Sequence, residues 1–88
     1  MRQFDIKIPV EPNGRLISEL VRICNKYGSE ILITKDTISR NVRGKSLIAW
    51  LSLSIHQFDK LKFTVFGNYE QYDTVDLQDQ LKYIFLKY

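Results

Sequence analysis

The sequence predicts an α+β fold, in which three helices lie on one face of a four-stranded antiparallel sheet in the order β-α-β-β-α-β-α. Residues 2–10 and 60–66 alternate between apolar and polar side chains, which is typical of half-buried strands. Between and after these segments, apolar residues recur every three or four positions, which indicates helices that pack on a sheet. At 88 residues, the chain is expected to form one domain covering residues 1–88.

The first third of the chain predicts a strand, a turn and a helix. Phe4, Ile6 and Ile8 share one face of the strand, and Pro9 favours an edge or a strand end. Residues 11–14 have the composition of a turn, and Gly28 is expected to cap the C-terminus of the following helix. The apolar face of that helix is predicted to contain Ile17, Leu20, Val21 and Cys24.

The rest of the chain predicts a hairpin, a short helix, a strand and a long helix. Residues 30–34 and 37–42 are expected to pair around a turn at 35–36, and residues 46–55 to form the short helix. Residues 60–66 form the last predicted strand, which Gly67 ends. The final helix is expected to start near Tyr69 or Glu70, with Leu77, Leu81, Ile84 and Tyr88 on one face.

Composition argues against several classes of function. The net charge of +3 comes from lysines and arginines scattered along the chain, so direct nucleic-acid binding is not expected. One cysteine, Cys24, cannot form an internal disulfide, and it is expected to be a core residue rather than a nucleophile. No metal site or cofactor is predicted. We expect no membrane association and a location in the cytoplasm, since no apolar run is long enough to span a bilayer.

Ser46 stands where the short helix is expected to begin. A serine there can accept a hydrogen bond from a backbone N–H of the first turn, so it is a favoured N-cap. Arg43 and Lys45 precede it, and a phosphate on Ser46 would lie beside these positive charges. The residues therefore leave two interpretations open, a structural cap and a regulated phosphorylation site.

The segment at residues 45–55 resembles the histidine-containing phosphocarrier protein (HPr) family of the bacterial phosphotransferase system, in which a Lys-Ser pair opens a short apolar helix. Asn25-Lys26-Tyr27 matches the end of the family's first helix, and Gly67 matches the glycine after its last strand. The resemblance covers nearly the whole chain. It implies the HPr-like open-faced β-sandwich, with no catalytic activity of the chain's own.

The chain departs from that family at the phosphoryl-accepting loop, whose family pattern is Gly-Leu-His-Ala-Arg-Pro before the first helix. Asn13 stands at the position of the histidine, Arg15 retains the arginine and Leu16 replaces the proline. An amide nitrogen is delocalised into its carbonyl, so Asn13 cannot act as the nucleophile that an imidazole supplies. The only histidine, His56, follows the second predicted helix and is expected to be an ordinary polar residue. The chain is therefore predicted not to be a competent phosphocarrier.

The resemblance implies a second activity. In Gram-positive members, the serine that matches Ser46 is phosphorylated by HPr kinase, and the product is a corepressor for a LacI-type transcription regulator. A relative in bacilli lacks the active histidine and keeps this serine. By matching positions, Arg15 and Lys45 are expected to bind phosphate, and the partner-binding residues are expected to be Leu47, Ile48 and Leu51. Of the apolar residues on this helix, Trp50 and Leu47 are the candidates for exposure, while Ile48, Leu51 and Ile55 could be core.

Two alternatives remain from the sequence. One is a phosphocarrier with a shifted register, and the other is an interaction module that acts without phosphorylation, as a monomer or a weak homodimer. The second is suggested by the apolar C-terminus, in which Phe85 and Leu86 are the test positions. Asp73, Asp76 and Asp79 are expected to lie on a solvated helix face rather than in a carboxylate site.

Overall fold

The computed structural model describes residues 1–36 and 40–88, and its element order is the predicted β-α-β-β-α-β-α. The strands are β1 (Arg2–Lys7), β2 (Glu30–Lys35), β3 (Asn41–Arg43) and β4 (Lys60–Phe66). The helices are α1 (Gly14–Cys24), α2 (Leu47–Ser52) and α3 (Glu70–Lys87). Part of the predicted second hairpin strand, Thr37, Ile38 and Ser39, lies outside the described residues.

The four strands form one antiparallel sheet in the order β1-β4-β2-β3, so β4 lies between the first and second strands of the chain. Phe4 of β1 and Ile33 of β2 are both paired with Phe63 of β4, and the rings of Phe4 and Phe63 stack with centroids 5.0 Å apart. The prediction that Pro9 marks an edge or a strand end is confirmed, because β1 is an edge strand and ends at Lys7, before Pro9.

The core lies between the sheet and the three helices. Alternate residues of β4, Leu61, Phe63 and Val65, are buried on the helical side, as their spacing predicts. The long helix contributes Leu77, Leu81 and Ile84, and its α1 counterparts include Leu16, Leu20 and Cys24. The opposite face of the sheet carries polar side chains such as Lys62. The open-faced arrangement that the sequence predicts is therefore confirmed.

Two helix ends differ from their predictions. α1 ends at Cys24 with Asn25 as its C-cap, so the assignment of this cap to Gly28 is wrong. The Asn25 side chain donates hydrogen bonds to the carbonyls of Val21 (2.8 Å) and Lys45 (3.1 Å), and this long-range contact stabilises the earlier end. α2 ends at Ser52 rather than Ile55, because Ser54 has a left-handed backbone with φ of 50°.

No helix within the described residues combines the length and the apolar character that a bilayer crossing requires.

Candidate functional site

The first candidate position is the N-terminus of α1. Asn13 is the N-cap, and its Oδ1 accepts a hydrogen bond of 2.8 Å from the backbone N–H of Leu16. Leu16 is buried in the core, so the cap fixes the backbone of a residue whose side chain packs inward. Arg15 is exposed and lies beside Glu19 in a shallow cleft that the end of α3 also lines. Asn13 thus has a structural role here that its amide oxygen fulfils.

The loop before α1 is held by the loop between α2 and β4. Both carboxylate oxygens of Glu11 are occupied: one accepts from the backbone N–H of Gln57 at 2.9 Å, and the other lies 3.0 Å from Nδ1 of His56. The hydrogen bond from Gln57 and, to a smaller extent, the contact with His56 lower the pKa of Glu11 below its usual value. His56 is largely exposed, as expected of an ordinary polar residue. Its pairing with Glu11, 45 positions away, could not be predicted from a local pattern.

The second candidate position is the N-terminus of α2. Ser46 is the N-cap, and its Oγ accepts from the backbone N–H of Ala49 at 3.2 Å. The Nζ of Lys45 donates to the carbonyl of Tyr27 at 2.6 Å, so this ammonium lies toward the loop between α1 and β2. An ammonium has three N–H groups, of which one makes this hydrogen bond. Ser46 is half-buried, and its hydroxyl already serves the backbone of the helix that it opens.

The helix after Ser46 has one buried and one exposed side. Leu47, Ile48 and Leu51 are exposed, with Ile48 the most accessible at 80%. Trp50 is 1% exposed, and its Nε1 donates to the carbonyl of Gly44 at 2.6 Å. The expectation that Trp50 is exposed is therefore wrong. The suggestion that Ile48 and Leu51 belong to the core is also wrong, because Trp50 occupies the side of this short helix that faces the sheet.

The predicted phosphate-binding residues, Arg15 and Lys45, have different neighbours. Lys45 adjoins Ser46, whereas Arg15 lies near Lys87 and Tyr88 at the end of α3. In the described part of the chain, no hydrogen bond joins Arg15 to Ser46, whose hydroxyl caps Ala49. The cleft that Arg15 lines has a volume of about 270 Å³.

Two of the three aspartates expected on a solvated face also make long-range hydrogen bonds. Oδ2 of Asp73 accepts from the backbone N–H and the hydroxyl of Ser29, at 3.2 and 2.6 Å. Oδ2 of Asp76 accepts from the hydroxyl of Tyr27 at 2.6 Å. Asp76 and Asp79 are exposed, as expected, whereas Asp73 is half-buried, and the hydrogen bonds of Asp73 and Asp76 fasten α3 to the segment that follows α1.

Cys24 is fully buried, and this burial raises the pKa of its thiol to about 12. The thiol is thus protonated at neutral pH, which agrees with the prediction of a core residue rather than a nucleophile. Over residues 1–36 and 40–88, no group of three or more His, Cys, Asp or Glu side chains is arranged to hold a metal ion.

Comparison with known families gives a match over residues 1–82 to the model described as the HPr component phosphorylation site of the phosphotransferase system. The match covers most of the chain. The protein belongs to the HPr family. Members of this family are phosphocarriers rather than enzymes in their own right. A search of curated proteins found no sequence that matches.

Solved HPr structures share the fold. The chain is similar to HPr-C-His from Thermoanaerobacter tengcongensis, with 24% identity, a TM-score of 0.82 and coverage of 97% of this chain and 96% of that one. It is similar to a Mycoplasma histidine-containing phosphocarrier protein, with 19% identity, a TM-score of 0.76 and 89% coverage of each chain.

A third similar structure is the catabolite repression protein Crh of Bacillus subtilis, which is described as a swapped dimer. The identity is 18%, the TM-score 0.69, and the coverage 96% of this chain and 94% of that one. At these identities, the likeness of the structures establishes the fold alone. Within that fold, the N-terminus of α1 carries Asn13, and the single histidine lies at position 56.

Proposed function

We propose that this HPr-family protein is a regulatory binding protein of the phosphotransferase and carbon catabolite control type, and that it does not carry phosphoryl groups on a histidine at α1. The observation that carries the proposal is Asn13 in the N-cap position of α1. Its side-chain oxygen is committed to the Leu16 N–H at 2.8 Å, and its amide nitrogen is no nucleophile. The family function of phosphoryl transfer thus lacks its acceptor at this helix.

In this proposal, Ser46 is the regulatory phosphorylation site and an HPr-kinase-type enzyme is the donor. The phosphate would add a charge of about −1.5 to −2 next to Lys45, whose ammonium donates a hydrogen bond to the Tyr27 carbonyl. Phosphorylation would also remove the hydroxyl proton without removing the oxygen that caps Ala49. The fold would therefore change little, and the altered charge would be read by a partner.

The partner surface in this proposal is the exposed side of α2, formed by Leu47, Ile48 and Leu51. Three accessible aliphatic side chains beside a phosphate would offer one apolar and one anionic contact to the same protein. Such a pair suits a regulator of the LacI type that presents basic residues next to an apolar pocket. Kinase and regulator both act in the cytoplasm, which is the location proposed for this protein.

The proposal is tested by incubating the protein with ATP and a Gram-positive HPr kinase, followed by measurement of intact mass. Wild type is expected to gain one phosphate and Ser46→Ala none. Ser52→Ala is the matched control, because Ser52 is also a hydroxyl at an end of α2 and should leave the modification unchanged. Absence of phosphate on wild type, or its loss from Ser52→Ala alone, would contradict the assignment to Ser46.

The absence of phosphocarrier activity is tested with phosphoenolpyruvate and the first enzyme of the phosphotransferase system. Wild type is expected to acquire no acid-labile phosphate. Since His56 is the only histidine, any such phosphate that is lost in His56→Gln would support the shifted-register alternative instead. Asn13→His returns an imidazole to the N-cap, and acid-labile phosphate on this variant alone would locate the defect at Asn13.

The alternative function is an interaction module that works without phosphorylation. Its specific support is Leu86, which is 86% exposed near the end of α3, whereas Phe85 is half-buried against the core. A wild-type protein that no kinase modifies, yet that associates through α3, would favour this alternative.

A further inference from the structure

The first strand leaves one edge of the sheet without a neighbour. β1 pairs with β4 on one side, and the described residues place no strand on its other side. The backbone N–H of Ile8 donates to the carbonyl of Asp59, just before β4, at 2.9 Å, and this pair continues the register of β1. Because the bonding direction alternates along an antiparallel strand, every second residue back from Ile8 also bonds toward β4. The residues whose N–H and C=O groups face outward are therefore Gln3, Asp5 and Lys7.

These outward groups have the spacing of a strand that lacks its partner. Three alternate residues each present one N–H and one C=O along the same line. Proteins usually cover or interrupt such an edge, since it is a template for an added strand. β1 is regular from Arg2 to Lys7, and Pro9 interrupts only the segment after it. The shape of ligand that this edge fits is an extended segment of chain.

Two clefts accompany this edge on the helical side of the sheet, where β1 faces α3. Ile6 lines the larger cleft together with Leu81 and Phe85, and its volume is about 540 Å³. Phe4 lines the smaller cleft, of about 260 Å³, and Gln78 of α3 borders both. Ile6 and Phe4 are half-buried against the core. We name the two adjoining clefts, with Phe4, Ile6, Gln78, Leu81 and Phe85, the edge groove.

The spacing of the clefts matches the side chains of an added strand. Ile6 and Phe4 are two residues apart, which is about 6.6 Å along a strand. In an antiparallel partner, the two residues opposite them are also two apart, and both side chains point to the helical side. The larger cleft suits an aromatic or large aliphatic residue opposite Ile6. The smaller cleft suits a residue such as valine opposite Phe4.

The open face of the sheet supplies a charge pattern for the same segment. Asp5 and Lys7 lie on this face, and the ion pairs of the described residues include neither of them. Lys7 is directly opposite Lys60 of β4, and Asp5 is opposite Lys62. An acidic partner residue opposite Lys7 and a basic one opposite Asp5 are therefore favoured, since directly opposite residues interact most strongly. From its N-terminus, an antiparallel segment that meets all these conditions is acidic, large apolar, basic and small apolar.

A second copy of the chain fits the charges but not the clefts. Asp5-Ile6-Lys7 has the acidic, apolar, basic order itself. Its Ile6 side chain, however, already packs against the core of its own domain, so it does not enter the cleft of another copy. A free extended segment has no core of its own and places its apolar side chains in both clefts. The occupant that fits is therefore a segment of a different protein.

We propose that the edge groove binds an extended segment of a partner protein, which adds to β1 as an antiparallel strand and has the order acidic, large apolar, basic, small apolar. The main chain of β1 gives affinity, and the two clefts with Asp5 and Lys7 give selectivity. The inference depends neither on Ser46 nor on the exposed end of α3, so it fails separately from the proposed function. A segment of about six residues buries less than a standard interface, so a dissociation constant of roughly 10⁻⁴ M is expected.

Isothermal titration calorimetry with synthetic peptides tests the charge order. The peptide acetyl-Thr-Glu-Phe-Lys-Val-Thr-amide has the proposed pattern, and its control exchanges the Glu and the Lys, so that like charges meet at both positions. The first peptide is expected to bind at least about tenfold more tightly. The double variant Asp5→Lys, Lys7→Glu should reverse this preference, because both exposed side chains change sign. No binding of either peptide up to about 1 mM, or equal affinity for both, would overturn the proposal.

Backbone methylation of the peptide tests strand addition. In the antiparallel register, the N–H of the peptide's Lys bonds the main chain of Asp5, whereas the N–H of its Phe, opposite Ile6, points away from β1. N-methylation of the Lys is expected to weaken binding by about tenfold, and the same change at the Phe should have little effect. Equal losses from the two methylated peptides would overturn the added strand.

Amide chemical shifts of the isotope-labelled protein locate the peptide. The N–H groups of Gln3, Asp5 and Lys7 are expected to shift most, and that of Ile48 on α2 should stay unchanged. Ser46→Ala should bind the peptide as wild type does, which separates this interface from the phosphorylation site. Shifts confined to other elements would overturn the placement at β1. A protein dimer that the peptide displaces would overturn the partner segment in favour of a second copy.

Discussion

The N-termini of α1 and α2 have the same capping structure, but the side chains that follow the cap lie in different environments. Each helix is preceded by an extended residue whose side-chain oxygen accepts a hydrogen bond from the backbone N–H three residues later. Asn13 accepts from Leu16, and Ser46 accepts from Ala49. In α1, the first turn buries Leu16 and Ile17 in the core. In α2, the first turn exposes Leu47 and Ile48.

This contrast shows that capping fixes where a helix starts but not what the helix is for. An amide and a hydroxyl are almost equivalent as caps, since each supplies one acceptor oxygen. They differ in chemistry, because the hydroxyl of Ser46 can be esterified by a kinase and the amide of Asn13 cannot be phosphorylated in this way. The site that can be modified is also the one beside an exposed apolar surface.

The largest effect is expected where α2 meets the core. Trp50→Ala removes a buried indole and leaves the Gly44 carbonyl without its donor, so the free energy of unfolding should fall by about 3–5 kcal/mol. Urea unfolding measures this loss. Leu51→Ala, on the exposed side of the same helix, is the control and should change stability by less than about 0.5 kcal/mol. Similar losses in both variants would contradict the division of α2 into two sides.

The next effect concerns the cap of α1. Asn13→Ala removes the acceptor for the Leu16 N–H and should lower the free energy of unfolding by about 1 kcal/mol. Asn13→Asp keeps an acceptor oxygen in place and should retain most of the stability. Thermal unfolding of both variants measures the difference, and equal destabilisation would show that Asn13 is not acting as a cap.

The cap of α2 should be the more tolerant one. The Ser46 hydrogen bond is longer, at 3.2 Å, so Ser46→Ala is expected to cost about 0.5–1 kcal/mol in denaturant unfolding. Ser46→Asp restores an acceptor, adds a negative charge next to Lys45, and should lie within about 0.5 kcal/mol of wild type. A strong loss in Ser46→Asp would argue against a negatively charged group being accommodated at this position.

The smallest effect concerns the loop that precedes α1. Hydrogen bonds from Gln57 and His56 lower the pKa of Glu11 below 4.5 in the folded state. Its contribution to stability is therefore present above about pH 4.5 and is lost as pH falls through the lower folded value. Unfolding curves of wild type and Glu11→Gln should differ at neutral pH and converge in acid. A difference in unfolding free energy that stayed constant with pH would contradict this linkage. At neutral pH, about 1 M salt should reduce the difference between the two proteins.

The fold was largely predictable because its strongest patterns are local. The alternation in β4 and the apolar spacing in α3 each follow from the geometry of one element, and both are confirmed. The starts of the helices after Asn13 and Ser46 were also predictable, because a cap and the N–H that it binds are only three residues apart. The roles assigned to Ser46, Lys45 and Arg15 stay predictions.

The misplaced features depend on residues that are distant in sequence. Asn25 ends α1 partly through a hydrogen bond to the carbonyl of Lys45, and the Tyr27 hydroxyl donates to Asp76, 49 positions away. No local sequence pattern predicts either contact. The burial of Trp50 could not be predicted, because the sequence of so short a helix does not show which of its sides faces the core. In the fold, the indole packs against Phe63, with ring centroids 6.0 Å apart, and its Nε1 donates to the Gly44 carbonyl.

The central position of β4 has a consequence for how the protein is made. β1 is the first strand to leave the ribosome, yet its partner extends to Phe66, and Gln3 bonds to Thr64 across 61 positions. Until β4 emerges, β1 has no neighbour and β2 has an open edge, both of which are prone to pair with other chains. A nascent chain that stalls before Lys60 therefore cannot close the sheet, because the strand that lies between β1 and β2 has not yet been made.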